Sequence, residues 1–193
     1  MNDRIIQNEP KIHPQIEAKS SEIGFTMPSD LYIGCLLKTL IASKPKGNFL
    51  ELGTGIGLSL SWMVDGMDSD STITSVDNDP QLIEIAKGFF GKDSRVNLVL
   101  EDGAKWIEEY QGPGFDLIFA DAWPGKYSHL DEIFSLLQVG GIYVIDDMDE
   151  QPNWPEGHAE KAQELVKQLE SREDFHLCKM NWSTGVILMT KIN

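Results

Sequence analysis

Apolar and polar positions along this chain switch between a helical period and a strand period, and the switches mark its elements. Leu31, Cys35, Leu36, Leu37, Leu40 and Ile41 share a broad face at helical spacing. They predict a helix over 28–43, with Ser29 or Thr26 as its cap. Lys-Pro-Lys-Gly at 44–47 is a turn. Strands and helices then alternate. Strands are predicted at 48–52, 72–76, 96–100, 115–120 and 141–145. Helices are predicted at 58–67, 80–90, 104–110, 127–138 and 159–170, with Asp79 as N-cap and Pro80 at the first position of the second. Two last strands, 175–182 and 185–192, flank Ser183-Thr184. Residues 1–27 are polar, with Pro10 and Pro14, and read as a short N-terminal arm ahead of a domain at 28–193.

The repeated strand–helix order implies an α/β fold, a doubly wound and mostly parallel seven-stranded sheet with helices on both faces. The last connection is too short for a parallel crossover, so the C-terminal strand pair is expected to be antiparallel.

Composition narrows the function. The chain has 193 residues, enough for one domain, and 31 acidic against 16 basic residues give a net charge of −15. No basic stripe is present, which counts against a nucleic-acid partner and against docking on an anionic membrane. No apolar run approaches the roughly 18 residues of a spanning helix. The N-terminus lacks an apolar leader, so a soluble, cytoplasmic protein is expected. Cys35 and Cys178 form no CxxC pair and read as small buried hydrophobes.

Between the first strand and its helix lies Glu51-Leu-Gly53-Thr54-Gly55-Ile-Gly57-Leu58. Glycines at such a turn let backbone approach a ligand, and open α/β sheets bind ligands at this edge. A dinucleotide fingerprint needs glycine at 58, where Leu58 stands, so a ligand without a pyrophosphate fits better. Asp77, at the end of the next strand, is placed to accept hydrogen bonds from ribose hydroxyls. Together the two signals point to a nucleoside; a tight connection alone is the plainer alternative. Asp121, Asp146 and Asp147 follow neighbouring strands on the same edge. Clustered carboxylates call for a proton or a cation, and hard oxygen ligands suit Mg²⁺ or another divalent cation.

With ELGTGIG (51–57), SVDNDP (75–80), LEDGAKWI (100–107), FDLIFADAWPGKY (115–127) and VGGIYVIDDM (139–148), the chain resembles class I S-adenosylmethionine-dependent methyltransferases of Rossmann-like fold. Within them it is similar to the small catechol/caffeoyl-CoA-type O-methyltransferases, from about Phe25 onward. The resemblance implies S-adenosylmethionine as cofactor, with Glu51, Gly53, Thr54, Gly55 and Gly57 around its methionine part. It implies Asp77 on the ribose, Asn78 beside it, and Asp102 and Gly103 at the adenine edge. The usual Gly-Asp-Ala order there is Asp102-Gly103-Ala104 in this chain. Thr26 and Met27 match the segment that covers the cofactor, and Trp123 is expected against the adenine or the pocket wall.

The resemblance also implies a metal site at Asp121, Asp146 and Asp147, although relatives carry Asn where Asp147 stands. It implies Lys126 as the base, with Asp121 beside it, at a longer spacing than the usual Asp-x-x-Lys. His129 and His158 read as surface residues, and Trp154 and Pro155 as lying near the pocket mouth. The expected activity is methyl transfer to a small-molecule acceptor, through a hydroxyl oxygen and with metal assistance. A homodimer is a modest expectation. The alternatives are a metal-independent methyltransferase acting on an amine or carboxylate, and a non-catalytic nucleoside-binding protein. A nicotinamide oxidoreductase is disfavoured by Leu58.

Overall fold

Short apolar runs bounded by turn residues become the strands Asn48–Leu52 (β1), Thr72–Asp77 (β2), Val96–Leu100 (β3), Phe115–Ala120 (β4), Leu137–Ile145 (β5), Phe175–Met180 (β6) and Val186–Lys191 (β7). They form one seven-stranded sheet in the order β3-β2-β1-β4-β5-β7-β6. The first five are parallel, and β7 runs antiparallel between β5 and β6. The computed structural model describes Asn2, residues 5–151 and residues 154–193; Met1, Asp3 and Arg4 of the expected N-terminal arm lie outside the described residues. The helices are His13–Ile23 (α1), Leu31–Ala42 (α2), Leu58–Gly66 (α3), Pro80–Phe90 (α4), Gly103–Glu109 (α5), Leu130–Leu136 (α6) and His158–Glu170 (α7). Two apolar cores lie around the sheet. One gathers Ile133, Phe134, Leu165 and Tyr143, and the other Ile33, Leu37, Leu60 and Met63. No helix among the described residues is long and apolar enough to cross a membrane.

Four local differences from the pattern have physical reasons. The helix expected at 28–43 starts at Leu31, because Asp30 is the cap, accepting from the N–H groups of Tyr32 (2.8 Å) and Ile33 (2.9 Å). The helix expected at 127–138 is only α6. Residues 123–128 instead close on themselves, with Tyr127 N–H donating to the Trp123 carbonyl (2.9 Å) and Gly125 N–H to that of Ser128 (2.8 Å). β5 begins early, at Leu137, and its register against β4 shifts across Gly140, whose φ is +80°. Cys178 is exposed on β6, not buried, because an edge strand has no neighbour to cover it.

The polar lead-in also holds more than the pattern suggests. Only Ile16 is a fully buried apolar residue of α1, with His13 and Ser20 beside it, so the helix carries almost no amphipathic signal. It nevertheless packs on α3, and Ile16 belongs to the same core as Ile33 and Met63. Ile16→Ala is expected to destabilise the protein by roughly 2–5 kcal/mol, as a buried truncation does. Chemical denaturation checks this, and an unchanged midpoint would mean that α1 does not share the core.

Candidate functional site

Parallel pairing brings the strand ends level. Val76, Leu52, Ala120 and Ile145 form one row across β2, β1, β4 and β5. The next residue in each strand, Asp77, Gly53, Asp121 and Asp146, therefore stands on a single edge. The strand order reverses between β1 and β4, which is where open α/β sheets take ligands. The backbone seals this point: Gly53 N–H donates to the Val76 carbonyl (2.9 Å) and Asp121 N–H to that of Leu52 (3.0 Å).

The glycine loop is held from below by a buried carboxyl. Glu51 is fully buried, and its two oxygens accept from Ser59 Oγ of α3 and Ser75 Oγ of β2, each at 2.5 Å. Thr54 is buried beside it, its Oγ1 2.6 Å from Ser75 Oγ. These side chains shape the loop from beneath rather than lining its outer face. Burial pushes the Glu51 carboxyl up to about 7, against the lowering effect of the two serines.

The glycines divide by role. A Cβ at Gly53, at φ +100°, would lie 2.7 Å from the Asp121 carbonyl oxygen. A Cβ at Gly57 would lie 2.5 Å from the Phe90 ring, so this glycine serves helix packing. Gly55 N–H donates to Asp77 Oδ2 (2.8 Å), and Asp79 N–H to Asp77 Oδ1 (2.9 Å). A carboxylate has about four acceptor positions, so Asp77 keeps two for a ligand. Asn78 is exposed next to it.

Other expected residues fall around this centre. Asp102 is exposed and caps α5 through Lys105 N–H (3.0 Å), and Gly103 faces the Pro124 ring, where a Cβ would sit at 3.3 Å. Thr26 and Met27 are exposed, Met27 at 72%. The segment ahead of α2 touches the loop through its neighbours instead. Phe25 lies against Gly55, and Ser29 Oγ donates to Asp121 Oδ2 at 3.4 Å. The sequence pattern offers Ser29 only as a helix cap and gives Phe25 no role, since a single Phe or Ser before a helix carries no spacing signal for a loop contact.

Lys126 is buried, and its Nζ donates to the Asp146 carbonyl at 2.6 Å and, at a longer 3.5 Å, to that of Asp147. Burial pulls its pKa down, while Asp121, Asp147 and Asp146 resist. Burial, then the charge of Asp146, holds the Asp121 carboxyl well above the usual range, and burial pushes Asp146 up to about 6. The three acids do not close into the expected ligand set. Asp146 Oδ1 is turned to Thr184 Oγ1 (2.6 Å) and Asp147 N–H (2.8 Å), and Asp147 has a left-handed backbone, φ +52°. Among the described residues, the one group of three His, Cys or acidic side chains with ligand atoms within 4.8 Å of one another is Glu9, His13 and Glu17. Asp121, Asp146 and Asp147 thus share the edge without a pre-set triad of ligand atoms, and Lys126 lies among them.

An aromatic wall borders Lys126. Trp123, 49% exposed, lies 4.8 Å from the Tyr127 ring and under Lys161 Nζ at 4.7 Å. The Tyr127 hydroxyl bonds His158 Nε2 at 3.0 Å, and Trp154 stacks on His158 with centroids 4.3 Å apart. Burial, then the Lys126 charge, lowers the His158 pKa. His158 is thus part of this wall rather than a free surface histidine. His129 instead pairs with Glu108 at 3.2 Å.

The raised Glu51 pKa sets a pH dependence. The folded protein keeps that proton up to about pH 7, whereas the unfolded chain releases it near 4.5. The associated stability is complete below the unfolded value and is lost as pH rises through the folded one. Glu51→Gln keeps partners for both serines and should remove on the order of 3 kcal/mol of pH dependence. Unfolding free energies from pH 4 to 8 check this; parallel curves for the two proteins would contradict it.

Comparison with known proteins agrees with this geometry. An O-methyltransferase family model matches residues 17–192. A protein of Mycobacterium leprae (strain TN), provisionally named an O-methyltransferase, is 29% identical over 143 residues. That match covers 72% of this chain, and the chain spans only 63% of the relative's length. Among solved structures, the O-methyltransferase TomG from Streptomyces achromogenes, in complex with SAM, superimposes with TM-score 0.84 at 18% identity, over 99% of this chain and 94% of that one. An SAH-bound methyltransferase from Podospora anserina gives 0.83 at 20% identity, over 99% and 92%. At these identities the structural likeness establishes the fold.

Proposed function

The chain belongs to the O-methyltransferase family, and on that premise we propose that it transfers a methyl group from S-adenosylmethionine to a hydroxyl oxygen of a small-molecule acceptor. The observation that carries this reading is Asp77. It braces Gly55 N–H while keeping acceptor capacity at the sheet edge where the strand order reverses. S-adenosylmethionine, when bound, supplies a methyl group on a cationic sulfonium.

The residues then divide the work. Asp77 accepts from the ribose hydroxyls. Gly53 and Gly55, whose positive φ angles bring the backbone to the edge, border the methionine part, and the Gly103–Pro124 contact borders the adenine. Phe25 and Ser29 exclude water from the loop. Asp121 and Asp146 give the edge a polarity that tolerates a sulfonium. Trp123, Tyr127 and His158 form a flat wall against which a planar acceptor packs. Lys126, whose pKa burial lowers, gives up its own proton to solvent and as the free amine takes the proton from the acceptor hydroxyl, since a neutral hydroxyl is a poor nucleophile. The remainder of the acceleration is positioning for in-line transfer. The divalent-metal assistance implied by the acidic trio finds no convergent donors, and no step is routed through a metal.

Calorimetric titration with S-adenosylmethionine should show one site, weakened at least about tenfold in Asp77→Ala, the loss of roughly one or two charge-assisted hydrogen bonds. Absent binding by the unaltered protein, or equal binding by the variant, would overturn the cofactor assignment. In a screen of phenolic acceptors followed by S-adenosylhomocysteine release, Lys126→Met should lower kcat by about 10²–10⁴. Turnover should be equal in chelator and in added Mg²⁺. Loss in chelator with recovery in Mg²⁺ would restore a metal role for Asp121, Asp146 and Asp147.

A further inference from the structure

The contact of α1 with α3 holds a group of side chains that methyl transfer does not use. His13 is 2% exposed, with its ring edge-on to Trp62 at 5.3 Å. Its Nδ1 lies 2.9 Å from Ser61 Oγ. Ser61 already donates its only hydroxyl proton to the Leu58 carbonyl, at 2.6 Å. It can therefore only accept from His13, so Nδ1 carries the imidazole proton. With the proton on Nδ1, Nε2 is left on the opposite side of the ring.

On that side stand two carboxylates. Glu17, one helical turn along α1, brings Oε1 to 3.6 Å from Nε2. Glu9, from the residues just before the helix, completes a set whose ligand atoms all lie within 4.8 Å of one another. An imidazole nitrogen and two carboxylates facing one another form a donor set for a cation. The 3.6 Å separation exceeds a hydrogen bond. It is close to the roughly 3.3 Å between two ligands of a tetrahedral Zn²⁺ with bonds of about 2.0–2.1 Å. The Ser61 contact also supplies what metal-binding histidines usually have, a fixed partner on the other ring nitrogen that sets tautomer and orientation.

We propose that Glu9, His13 and Glu17 bind one Zn²⁺ ion through His13 Nε2 and the two carboxylates, with a fourth position open to water. The imidazole–carboxylate donor set suits a borderline transition ion, not Mg²⁺. The ion ties the residues before α1 to its first turns and holds the His13 ring in its contact with Ser61 of α3. From α1 the chain turns through Gly24 into Phe25, which rests on Gly55. The site is therefore a structural fastening for the segment that meets the glycine loop, and it is separate from the acids at the sheet edge.

The test uses the full chain, stripped with chelator and dialysed. Zn²⁺ titration by calorimetry should show one equivalent bound, and Co²⁺ should give the visible absorption of a four-coordinate ion. Glu9→Gln with Glu17→Gln, both at exposed positions, should lower Zn²⁺ affinity at least tenfold and abolish the Co²⁺ bands, with S-adenosylmethionine affinity unchanged. Zn²⁺ should raise the Tm of the parent protein and not that of the double variant. No saturable binding would mean that a proton alone sits between His13 and Glu17, and would overturn the proposal. Binding undiminished in the double variant would overturn it as well, by placing the ion elsewhere. Neither result touches the cofactor assignment, which is read from S-adenosylmethionine binding.

Discussion

One buried carboxyl group organises the centre of this molecule. Glu51 stands in β1 with no exposed surface, and it bonds a serine from α3 and a serine from β2. Burying a carboxyl without partners would be costly, so both serines are needed and their positions are set. The strand before the glycine loop, the helix after it and the neighbouring strand are thus tied at one point. The turn above has little freedom left, and its N–H groups are aimed at Val76 and Asp77. Below about pH 7 the proton that burial keeps on Glu51 makes the clamp an electrically quiet one, beneath an edge that carries Asp77, Asp121 and Asp146.

That edge follows from strand register. Parallel pairing levels β2, β1, β4 and β5, so Asp77, Asp121 and Asp146 stand in a row without any further device. A row of acids needs compensation. Part of it comes from raised pKa values at Asp121 and Asp146, and part from the Lys126 ammonium beneath them. The −15 net charge of the chain therefore has a local meaning here. The edge can accept a cationic group with little reorganisation, which is the electrostatic condition for holding a sulfonium.

Much of this was legible in the sequence. Alternation of strand and helix patterns predicts the parallel sheet, and the short Ser183-Thr184 connection predicts the antiparallel pair at its end. The glycine spacing and Asp77 locate the nucleoside edge. What was hidden has common causes. α1 buries one isoleucine and two polar residues, so no periodicity reveals it. Glu51 and Thr54 belong to the loop motif, but their inward orientation is decided by Ser59 and Ser75, whose hydroxyls look ordinary in a string of letters. Tyr127 and His158 are 31 positions apart and meet only because the loop at 123–128 closes on itself instead of starting the helix. The acidic trio is placed on the expected edge, but side-chain directions that the sequence does not encode turn Asp146 toward Thr184.

The central claim is that the cofactor lies across the levelled strand ends, over the loop that Glu51 clamps. Backbone amide chemical shifts recorded with and without S-adenosylhomocysteine test it most directly. The account predicts the largest changes at Gly53, Gly55, Asp77 and Gly103, with β6 unaffected. Changes centred on α1 or on the β6–β7 end of the sheet, with the glycine loop silent, would contradict it.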